Sequence, residues 1–534
     1  MNSRNTSATG AHLIPISGPV GRRQFIVAGL SAGASLMASA KALAQGAIVP
    51  LHCVPPLPPG QAAAFSPASG PVRVRKSVFD LTPAEISRLK NAYAELKKLT
   101  QADPRGWHHQ GEVHCWYCSG ALDSLNGMEI HGGWWFLPWH RAYLYFHERI
   151  LGALIGDPTF ALPYWDWDSC TDDPRDMTGR NRFPGEVYGF QGDTTNPLHD
   201  STRAVGPNDR IPTTLVGPTT VKSILTAKSF TDFGGSGNEE LPVVADSPGD
   251  PQQMGQLEGA PHGGVHLWTT DPKGFSGLSN MGSLNSAGFD PVFFAHHANI
   301  DRLWDLWVQG TAHANPKSNR WNNEQPFFFY DQAGTWTGIV ISQMTDPGGP
   351  LSYRYDPPNW PAGVAVAATA SRTLPRTAQA TPLGTPLVEL NTEAEAKILP
   401  AAPTTLNVAL PAQVRARVAE TASTGTLVLR IDGVEVPSDR GAVIQVYVNR
   451  PDATAAAGPS QGYVGSVVIV PSTAPNSLHL HRSVLRNFGF TLAPELVASL
   501  ANRENLSVTL VPVLGESAKP AEFARYRRVY IAPR

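Results

Sequence analysis

Six histidines, three in each of two segments, are the residues of this chain whose type and spacing could do the most specific chemistry. They are His114, His131 and His140 in the first segment and His262, His266 and His297 in the second. Neutral imidazole suits copper, zinc, iron or nickel, and a site without carboxylate or thiolate ligands leaves open positions for a small molecule. The pattern predicts two three-histidine metal sites. Two such sites facing each other would suit O₂ held between two copper ions.

The second segment has the sharper spacing. His262 and His266 stand four residues apart, so a helix would place both rings on one face. His297 follows between two acidic residues, and we expect Asp290 or Asp301 to orient an imidazole there. Two histidines alone at this spacing could be a surface coincidence. The third histidine, with its acidic neighbours, favours a metal site.

The other histidines have simpler interpretations. A lone histidine at position 140 would be a hydrogen-bonded core residue, and only the company of His131 and His114 favours a ligand. His108 and His109 are rivals to His114, but they lack the Cys-x-x-Cys sequence that follows it. Structural roles are predicted for His147, His296, His479 and His481.

A helical scaffold must position these side chains. The segment Leu81-Thr82-Pro83-Ala84-Glu85 is predicted to open a helix that runs to about Thr100, with Thr82 as its cap and Glu85 completing a capping box. Further helices are predicted at about 140–155, 261–269 and 291–309. Residues 170–250 are rich in Gly, Pro, Asp and Asn and are predicted to form ordered loops. The fold class expected of this part is mainly α, a four-helix bundle with long loops.

The first residues are typical of an export leader. Arg22 and Arg23 precede an apolar stretch that runs to about Ala40, and Ala42-Leu43-Ala44 resembles a cleavage site. A membrane anchor is the alternative, but roughly 16 apolar and small residues are few for a span of about 20. We predict a twin-arginine signal at 1–44, export to the periplasm or the medium, and no stable membrane insertion after its removal.

The amino-acid composition of the chain changes after Tyr355. Residues 357–410 are dominated by Ala, Pro and Thr and are predicted to be a linker or bridging segment. Beyond them, short β-rich runs alternate with Gly, Pro and Asp turns, which predicts an all-β sandwich or barrel. The predicted order is leader 1–44, helical domain 45–356, bridge 357–410 and β-rich C-terminal domain 411–534.

Composition excludes some classes of partner. Hydrophobic residues make up 42% and charged residues 16% of the chain, which indicates a globular protein. Without the four basic residues of the leader, 38 Lys and Arg stand against 44 Asp and Glu, a net charge of −6. This balance offers nothing to attract nucleic acid or anionic lipid. The sequence makes no prediction of the oligomeric state.

The cysteines leave alternatives open. Cys115 and Cys118 could hint at a zinc or redox pair, but the chain has no second pair at that spacing. Export permits a disulfide, so one disulfide plus one specially used cysteine is the better interpretation.

These motifs together resemble the type 3 copper family, and more closely its plant-type polyphenol oxidases, the catechol oxidases and tyrosinases. The resemblance rests on His114-Cys-Trp-Tyr-Cys118, Phe136-Leu-Pro-Trp-His-Arg141, Pro261-His-Gly-Gly-Val-His266 and Asp290-Pro through His297 to Trp304. Tyr353-Arg-Tyr355 resembles the motif that ends the family's catalytic domain, and residues 441–448 resemble part of the plant C-terminal domain. Combined with the export leader, the resemblance implies a plant-type enzyme of a bacterium.

Carried over residue by residue, the resemblance implies two copper ions. The first would be bound by His114, His131 and His140, and the second by His262, His266 and His297. The resemblance also implies a thioether between Cys118 and His131 and a disulfide between Cys53 and Cys115. Cys170 has no counterpart in the family and is expected to be a free thiol.

Three more residues bear on the chemistry that the resemblance implies. Glu258 matches the acidic residue that holds a water near the second copper, where it could orient or deprotonate a phenol. Its simpler interpretation is a charge at a helix start. Gly263 replaces the Asn found at this point in many enzymes that hydroxylate monophenols. Leu284 stands where plant enzymes often place a bulky Phe, so a more open pocket entrance is expected.

The implied function is copper-dependent oxidation of o-diphenols to o-quinones with O₂ reduced to water, and hydroxylation of monophenols is a second hypothesis. Reversible O₂ carriage of the hemocyanin kind is the alternative, and it would show no catechol turnover. A blue-copper carrier would need clustered Cys, His and Met ligands, but the predicted β domain contains no cysteine. The C-terminal domain is expected to cover the copper pocket and keep the enzyme latent until proteolysis within 357–410.

Overall fold

The computed structural model describes residues 61–534 except 68–69, 119–129, 238–252, 279, 310–312, 325, 357–382, 392–395, 438–439, 472–485 and 516–521. The predicted leader 1–44 lies outside the described residues, and so do Cys53, His479 and His481. Within the described ranges, no helix combines the length and apolar character needed to cross a bilayer.

Helices dominate the part of the chain before residue 310. The α-helices there are α1 (Pro83–Lys98), α2 (Trp107–Cys118), α3 (Phe136–Leu154), α4 (Gly185–Tyr188), α5 (Thr213–Val216), α6 (Pro218–Leu225), α7 (Phe230–Gly234), α8 (Gly264–Thr270) and α9 (Val292–Gln309). A π-helical turn, Glu258–Gly263, runs directly into α8. Shorter turns of 3₁₀-helix cover Val78–Asp80, Asn280–Gly282, Ala287–Phe289, Ile341–Gln343 and Ala455–Ala457, and a second π-helical turn covers Arg320–Glu324.

Helix α1 begins where its sequence predicts. The Thr82 hydroxyl accepts the Glu85 backbone N–H at 3.3 Å, and the Glu85 carboxylate accepts the Thr82 backbone N–H at 2.8 Å. This reciprocal pair is a complete capping box, and Pro83 occupies the first turn, where a missing N–H costs nothing. Tyr93 and Leu96 then bury one face of α1 against the rest of the helical part.

Helices α3 and α9 form the centre of the helical part, and nearly every residue of both is buried. His140 lies on α3 and His297 on α9, so each helix carries one of the predicted ligands. Fully buried indole rings lie on these helices and on α8, namely Trp139 on α3, Trp304 on α9 and Trp268 on α8. Each buried aromatic side chain removes about 150–250 Å² of surface from water, so this packing fixes where the two helices lie.

A buried ion-pair network ties α3 to α9. Asp301 on α9 accepts Nε–H of Arg141 at 2.5 Å and the hydroxyls of Tyr353 and Tyr355 at 2.5 and 2.6 Å. Arg75 lies 3.3 Å from the same carboxylate. Burial alone would raise the pKa of Asp301, but Arg141 and Arg75 outweigh it and lower that pKa. The carboxylate is therefore ionised, and it clamps the helix ends that carry His140 and His297.

Strands dominate the second half of the chain. They are β1 (Ala63–Ala64), β2 (Arg73–Arg75), β3 (Gln253–Met254), β4 (Phe327–Tyr330), β5 (Trp336–Ile339), β6 (Tyr353–Tyr355), β7 (Val388–Asn391), β8 (Lys397–Leu399), β9 (Thr404–Ala409), β10 (Leu427–Val434), β11 (Ala442–Val448), β12 (Tyr463–Ile469), β13 (Arg486–Thr491), β14 (Asn505–Val513), β15 (Ala524–Tyr526) and β16 (Arg528–Pro533). One sheet has the order β3-β13-β10-β16-β7 and another β12-β11-β14-β9. Smaller sheets have the order β1-β5-β4 or pair β15 with β8 and β2 with β6. Two helices, α10 (Ala412–Thr424) and α11 (Pro494–Ala501), accompany these strands.

The two larger sheets pack as a sandwich. Leu429 and Ile431 of β10 share one buried cluster with Ile444 and Val446 of β11, which belongs to the other sheet. Antiparallel pairing sets the register within the first sheet, where Leu429 stands opposite Phe490. A mainly α part followed by an all-β sandwich is the predicted fold class, and the structure confirms it.

The β-rich part begins earlier than predicted. Strands β7, β8 and β9 lie between residues 388 and 409, inside the segment 357–410 that the sequence predicts as a bridge. These strands are only three to six residues long, and their partners come from the far end of the chain, so local composition does not reveal them. Strand β3 of the helical part also pairs in parallel with β13, placing Met254 opposite Phe488. The two parts therefore share one sheet.

The network around Asp301 can be tested by Asp301→Asn. The amide removes the charge that compensates Arg141 and Arg75, and breaking a buried pair in this way costs about 3–5 kcal/mol. We expect a clearly lower urea midpoint, measured by tryptophan fluorescence. Asp173→Asn is the control, because Asp173 pairs with Arg175 in an exposed position, and its midpoint should not change. Equal midpoints for Asp301→Asn and the unchanged protein would show that the network does not stabilise the fold.

Candidate metal centre

The fold brings the six predicted histidines together from six elements. His114 lies on α2, His131 in the loop before α3, His140 on α3, His262 in the π-helical turn, His266 on α8 and His297 on α9. One possible ligand atom from each of His114, His131 and His140 lies within 4.8 Å of the others, and the same holds for His262, His266, His296 and His297. All seven side chains are buried. The sequence spacing therefore found both clusters, and distance adds His296 to the second.

Helix α2 carries His114 although its sequence shows no helical stripe. Val113, Cys115, Trp116 and Tyr117 are successive or nearly successive residues, and all are buried. Because polar and apolar residues of α2 are buried alike, its sequence has no 3.6-residue alternation of apolar and polar positions for sequence analysis to find.

The two clusters face each other. The rings of His140 and His297 stack with centroids 4.2 Å apart and planes inclined by 10°. The rings of His131 and His262 lie 6.0 Å apart at 23°. Because each pair joins one cluster to the other, metal ions bound in the two clusters would be neighbours.

Backbone carbonyls decide which nitrogen each ring of the first cluster can offer. Nδ1–H of His114 donates to the carbonyl of Leu284 at 2.8 Å, and Nδ1–H of His140 donates to the carbonyl of Phe136 at 2.7 Å. A carbonyl only accepts, so each ring has its hydrogen on Nδ1 and a lone pair on Nε2. The two Nε2 atoms are 3.3 Å apart. Two lone pairs facing at this distance repel each other unless a cation lies between them.

The second cluster has the same construction. Nδ1–H of His262 donates to the carbonyl of Glu258 at 3.1 Å, and Nδ1–H of His266 donates to the carbonyl of Met281 at 2.7 Å. Nε2 of His262 is buried and has no hydrogen-bond partner among the described residues. Nε2 of His266 lies 3.2 Å from Nε2 of His297. Buried nitrogen acceptors left in this way fit a metal ion, with the carbonyls orienting the rings that bind it.

Burial keeps these imidazoles neutral. Removal from water lowers the pKa of His131 and of His266 to about 3, with Arg486 adding to the effect at His131. Burial first and neighbouring imidazoles second hold the pKa well below the usual value at His114, His140, His262 and His297. Metal ligands must be deprotonated, so protons compete for these nitrogens only far below the usual histidine pKa of about 6.5.

The expectation that Asp290 or Asp301 orients an imidazole is wrong. Asp290 pairs with Arg203 at 2.5 Å and accepts the backbone N–H of Val292 at 2.9 Å, at the start of α9. Asp301 is bound to Arg141 and the two tyrosines. Both carboxylates are already neutralised by arginines, and backbone carbonyls do the orienting instead.

Glu258 makes one hydrogen bond next to each cluster: its carbonyl accepts Nδ1–H of His262, and its carboxylate bonds the residue after His131. It lies four residues before His262, and one of its carboxylate oxygens accepts the backbone N–H of Gly132 at 2.6 Å. Gly132 directly follows His131 and has φ +84°, a left-handed conformation that favours glycine. The carboxylate is buried and held in one orientation beside a residue of each cluster.

The cysteine predictions lie partly outside the described residues. Cys115 is disulfide-bonded, but its predicted partner Cys53 is not described, so the pairing stays a prediction. Cys118 is buried with Sγ 3.4 Å from Nδ1 of His114, and its thioether to the second histidine of the first cluster also stays a prediction. Cys170 is a free cysteine, as expected.

The rival histidines lie outside both clusters. The ring of His108 packs against Phe289, and that of His109 packs against Tyr330. His147 hydrogen-bonds Gln110 at 2.9 Å and Tyr93 at 3.0 Å and stacks on Phe294. Packing is the role predicted for His147 from its position on α3.

The two predicted pocket residues contact the C-terminal sandwich. A Cβ on Gly263 would lie 2.9 Å from Cγ1 of Val468 and 3.3 Å from Cγ2 of Val470. The N–H of Leu284 donates to the carbonyl of Pro471 at 3.0 Å. Leu284 itself is 6% exposed. C-terminal residues therefore fill the space beside Gly263 and Leu284, and the effect of Leu284 on the width of the uncovered entrance stays a prediction.

Arg486 of β13 approaches from the same side. A Cβ on Gly132 would lie 2.5 Å from Nη1 of Arg486, so the guanidinium packs directly on this glycine. Sequence analysis placed this region in the β-rich C-terminal domain and singled out no residue of it for the site. Nothing local marks Arg486, Val468 or Val470 as neighbours of the histidines, because the contact joins residues far apart in the chain.

Comparison with known protein families gives two matches. Residues 102–310 match the common central domain of tyrosinase, and residues 400–522 match the C-terminal domain of chloroplastic polyphenol oxidase. The first match contains all six predicted ligands.

Individual relatives agree with these families. A chloroplastic polyphenol oxidase of Malus domestica is 31% identical over 507 residues, covering 89% of this chain and 80% of the relative. A chloroplastic (+)-larreatricin hydroxylase of Larrea tridentata is 35% identical over 301 residues, covering 53% of this chain and 49% of the relative. The chain thus spans about half the length of some relatives. The solved structure of latent apple tyrosinase has a TM-score of 0.68 at 27% identity, covering 88% of this chain and 99% of that one.

The clusters and these matches together show a dinuclear type 3 copper site. The predicted cofactor, two copper ions, is confirmed.

The predicted destination of the chain is wrong. The relatives are chloroplastic enzymes of plants, which contradicts twin-arginine export to the periplasm or the medium and gives no support to a bacterial source. The physical reason is that export signals and transit peptides have similar compositions. Residues 1–44 contain arginines and serines and no acidic residue, a composition also typical of transit peptides.

Copper content tests the two clusters. We expect two copper ions per chain after loading and dialysis, measured by mass spectrometry of the metal. His140→Ala and His266→Ala should each bind fewer than two, because each removes one imidazole from a different cluster. His108→Ala should still bind two, since this ring packs on Phe289. Full copper content in either cluster variant would contradict the assignment.

Proposed function

We propose that this chain, which belongs to the polyphenol oxidases with a tyrosinase-type central domain, oxidises o-diphenols to o-quinones. The oxidant is O₂. Each diphenol loses two electrons and two protons, and each O₂ takes up four of both to form two molecules of water. The observation that carries the proposal is the pair of facing, buried imidazole clusters. The substrates are small phenols, and their natural identity is left open.

The ligand assignment follows the clusters. His114, His131 and His140 would bind the first copper, and His262, His266 and His297 the second. Bound copper supplies the site where O₂ is reduced and the path by which electrons leave the phenol. The imidazoles act as ligands rather than as acids or bases, because four of their Nδ1–H groups are committed to backbone carbonyls.

Glu258 is the proposed base. The hydrogen bond from Gly132 fixes one carboxylate oxygen at 2.6 Å, so the side chain keeps its orientation while a substrate binds. From there it could take the proton of a phenol hydroxyl directly or through one water. Gly263, next to His262, offers no side chain to help hold that water. We therefore propose diphenol oxidation as the main reaction and monophenol hydroxylation as a weaker one.

Reversible O₂ carriage is the rival function. It has less support, because the relatives are named as oxidases or a hydroxylase. A carrier would take up and release O₂ without converting catechol.

A substrate panel with Glu258→Gln tests the proposal. The copper-loaded protein should consume O₂ and form quinone with catechol, and faster than with tyrosine. Glu258→Gln should lower kcat/KM for catechol by roughly 10²-fold, the usual contribution of a positioned base, with copper content unchanged. Glu186→Gln is the control, because Glu186 is an exposed partner of Arg182. Copper-loaded protein that binds O₂ but never oxidises catechol, even after the C-terminal sandwich has been removed by cleavage, would end the proposal in favour of a carrier.

We also propose that the C-terminal sandwich keeps the enzyme latent. Val468 and Val470 occupy the space over Gly263, beside His262. The carbonyl of Pro471 accepts the backbone N–H of Leu284, and the carbonyl of Leu284 accepts Nδ1–H of His114. A phenol therefore reaches the clusters only if these residues move. The solved apple tyrosinase that covers both parts of this chain is described as latent, which supports the same arrangement here.

The segment in which cleavage would release the sandwich is shorter than the range 357–410 predicted from the sequence. Strand β7 is part of the sandwich, with Val388 opposite Ile531. A cut beyond β7 would leave this strand attached to the helical part. The backbone N–H of Gly384 already donates to the carbonyl of Pro533, so we propose residues 357–383 as the segment where cleavage frees the sandwich.

Two variants test latency without a protease. A methyl group in Gly263→Ala would lie 2.9 Å from Cγ1 of Val468, so the sandwich must shift, and Val468→Ala removes the same contact from the other side. If less than a tenth of the intact protein is open, catechol turnover should rise about tenfold or more in both variants. Gly206→Ala, with no atom closer than 3.4 Å to its new methyl, should change nothing.

Cleavage within 357–383 followed by separation of the sandwich should give a similar gain. Turnover that stays at the intact level after separation, with copper still bound, would overturn latency.

A further inference from the structure

Four histidines, not three, crowd the second copper position. His296 contributes a possible ligand atom within 4.8 Å of those of His262, His266 and His297. Its ring lies 5.5 Å from that of His262, inclined by 15°. Imidazole is a good copper ligand whichever histidine supplies it. Some feature of the structure must therefore keep the count at three and leave a coordination position open for O₂ and substrate.

Trp167 provides that feature. Its indole Nε1–H donates to Nδ1 of His296 at 3.1 Å, and both side chains are completely buried. Indole nitrogen is a donor only, so Nδ1 of His296 must be the acceptor. The neutral ring then has its hydrogen on Nε2. One nitrogen is engaged by Trp167 and the other is protonated, so neither offers a lone pair to a metal.

This is the reverse of the arrangement in the ligand rings. His262 and His266 carry their hydrogen on Nδ1, facing the carbonyls of Glu258 and Met281. Their Nε2 lone pairs are therefore available, whereas the acceptor nitrogen of His296 is Nδ1 and is engaged by Trp167. A carbonyl beside Nδ1 thus leaves Nε2 free to bind a metal, whereas an N–H donor beside Nδ1 places the hydrogen on Nε2 and prevents metal binding.

The indole is held firmly against α9. The backbone N–H of Trp165 donates to the carbonyl of Ala295 at 2.9 Å, directly before His296. Asp168 accepts from Asn299 at 2.9 Å and from Arg302 at 3.2 Å, both on α9. Trp167 lies between these two attachments, so its N–H cannot turn away from His296 without breaking buried contacts.

We propose that Trp167 is a positioning residue that excludes His296 from the second copper by fixing its tautomer. The proposal rests on the ligand set proposed above. Without the indole N–H, the ring can place its hydrogen on Nδ1 and present a lone pair on Nε2. His296 then becomes a fourth ligand that competes with O₂ and substrate for the open position.

The tautomer can be measured without copper. In the metal-free full chain labelled with ¹⁵N-histidine, long-range ¹H–¹⁵N spectra should show a ring with its hydrogen on Nε2, identified by its loss in His296→Gln. This ring should move to the Nδ1–H form in Trp167→Phe. Trp165→Phe is the matched control, because it removes a nearby buried indole N–H that donates to the carbonyl of Arg182. His296 with its hydrogen on Nδ1 in the unchanged protein, or an unaltered ring in Trp167→Phe, would overturn the proposal.

The consequence is measured on the copper-loaded full chain with azide, a small anion that binds an open copper position. Trp167→Phe should weaken azide binding by about ten- to hundredfold with two copper ions still bound. The double variant Trp167→Phe/His296→Gln should restore it, because no fourth imidazole remains. Weakened binding without restoration would mean a merely structural role and overturn the proposal. Neither measurement needs catechol turnover, so a chain that fails to oxidise diphenols would refute the proposed function separately.

Discussion

The placement of single protons on buried imidazole rings is the constraint on which this site depends. A ring can bind copper only through a nitrogen that carries no hydrogen, and the fold settles this ring by ring. Backbone carbonyls of Phe136, Leu284, Glu258 and Met281 take the Nδ1–H of four rings and point their Nε2 lone pairs inward. Lone pairs brought this close repel each other in the absence of metal. The site therefore opposes folding, and the surrounding structure must hold it together.

Two features outside the clusters supply that support. Buried indole and phenyl rings remove large apolar areas from water around α3 and α9. The Asp301 network then fixes these helices relative to each other, and it lies close along the chain to His140 and His297. The C-terminal sandwich adds a third restraint, because the peptide of Leu284 is bonded to His114 on one side and to Pro471 on the other. Closing the pocket and orienting a ligand are thus carried out by the same residue.

Sequence analysis could predict what depends on local spacing. The capping box at Thr82, the pair His262 and His266, and most strands of the sandwich follow from periods of 3.6 or 2 residues and from turn chemistry. Helix α2 could not be predicted, because burial on all sides erases the period. The π-helical turn at Glu258–Gly263 has no recognised sequence signal, and carbonyl acceptors leave no trace in side-chain identity. The acidic residues near His297 were misleading, because Asp290 and Asp301 form ion pairs with Arg203 and Arg141. The leader was misleading for a different reason, since two kinds of targeting segment share its composition.

X-ray absorption at the copper K edge of the copper-loaded full chain tests the central claim most directly, because it counts the imidazoles around each metal. The account predicts an average of three imidazole nitrogens per copper, a second copper close by, and no bound sulfur. Four imidazoles per copper, a copper–sulfur distance, or copper ions without a neighbouring copper would contradict it.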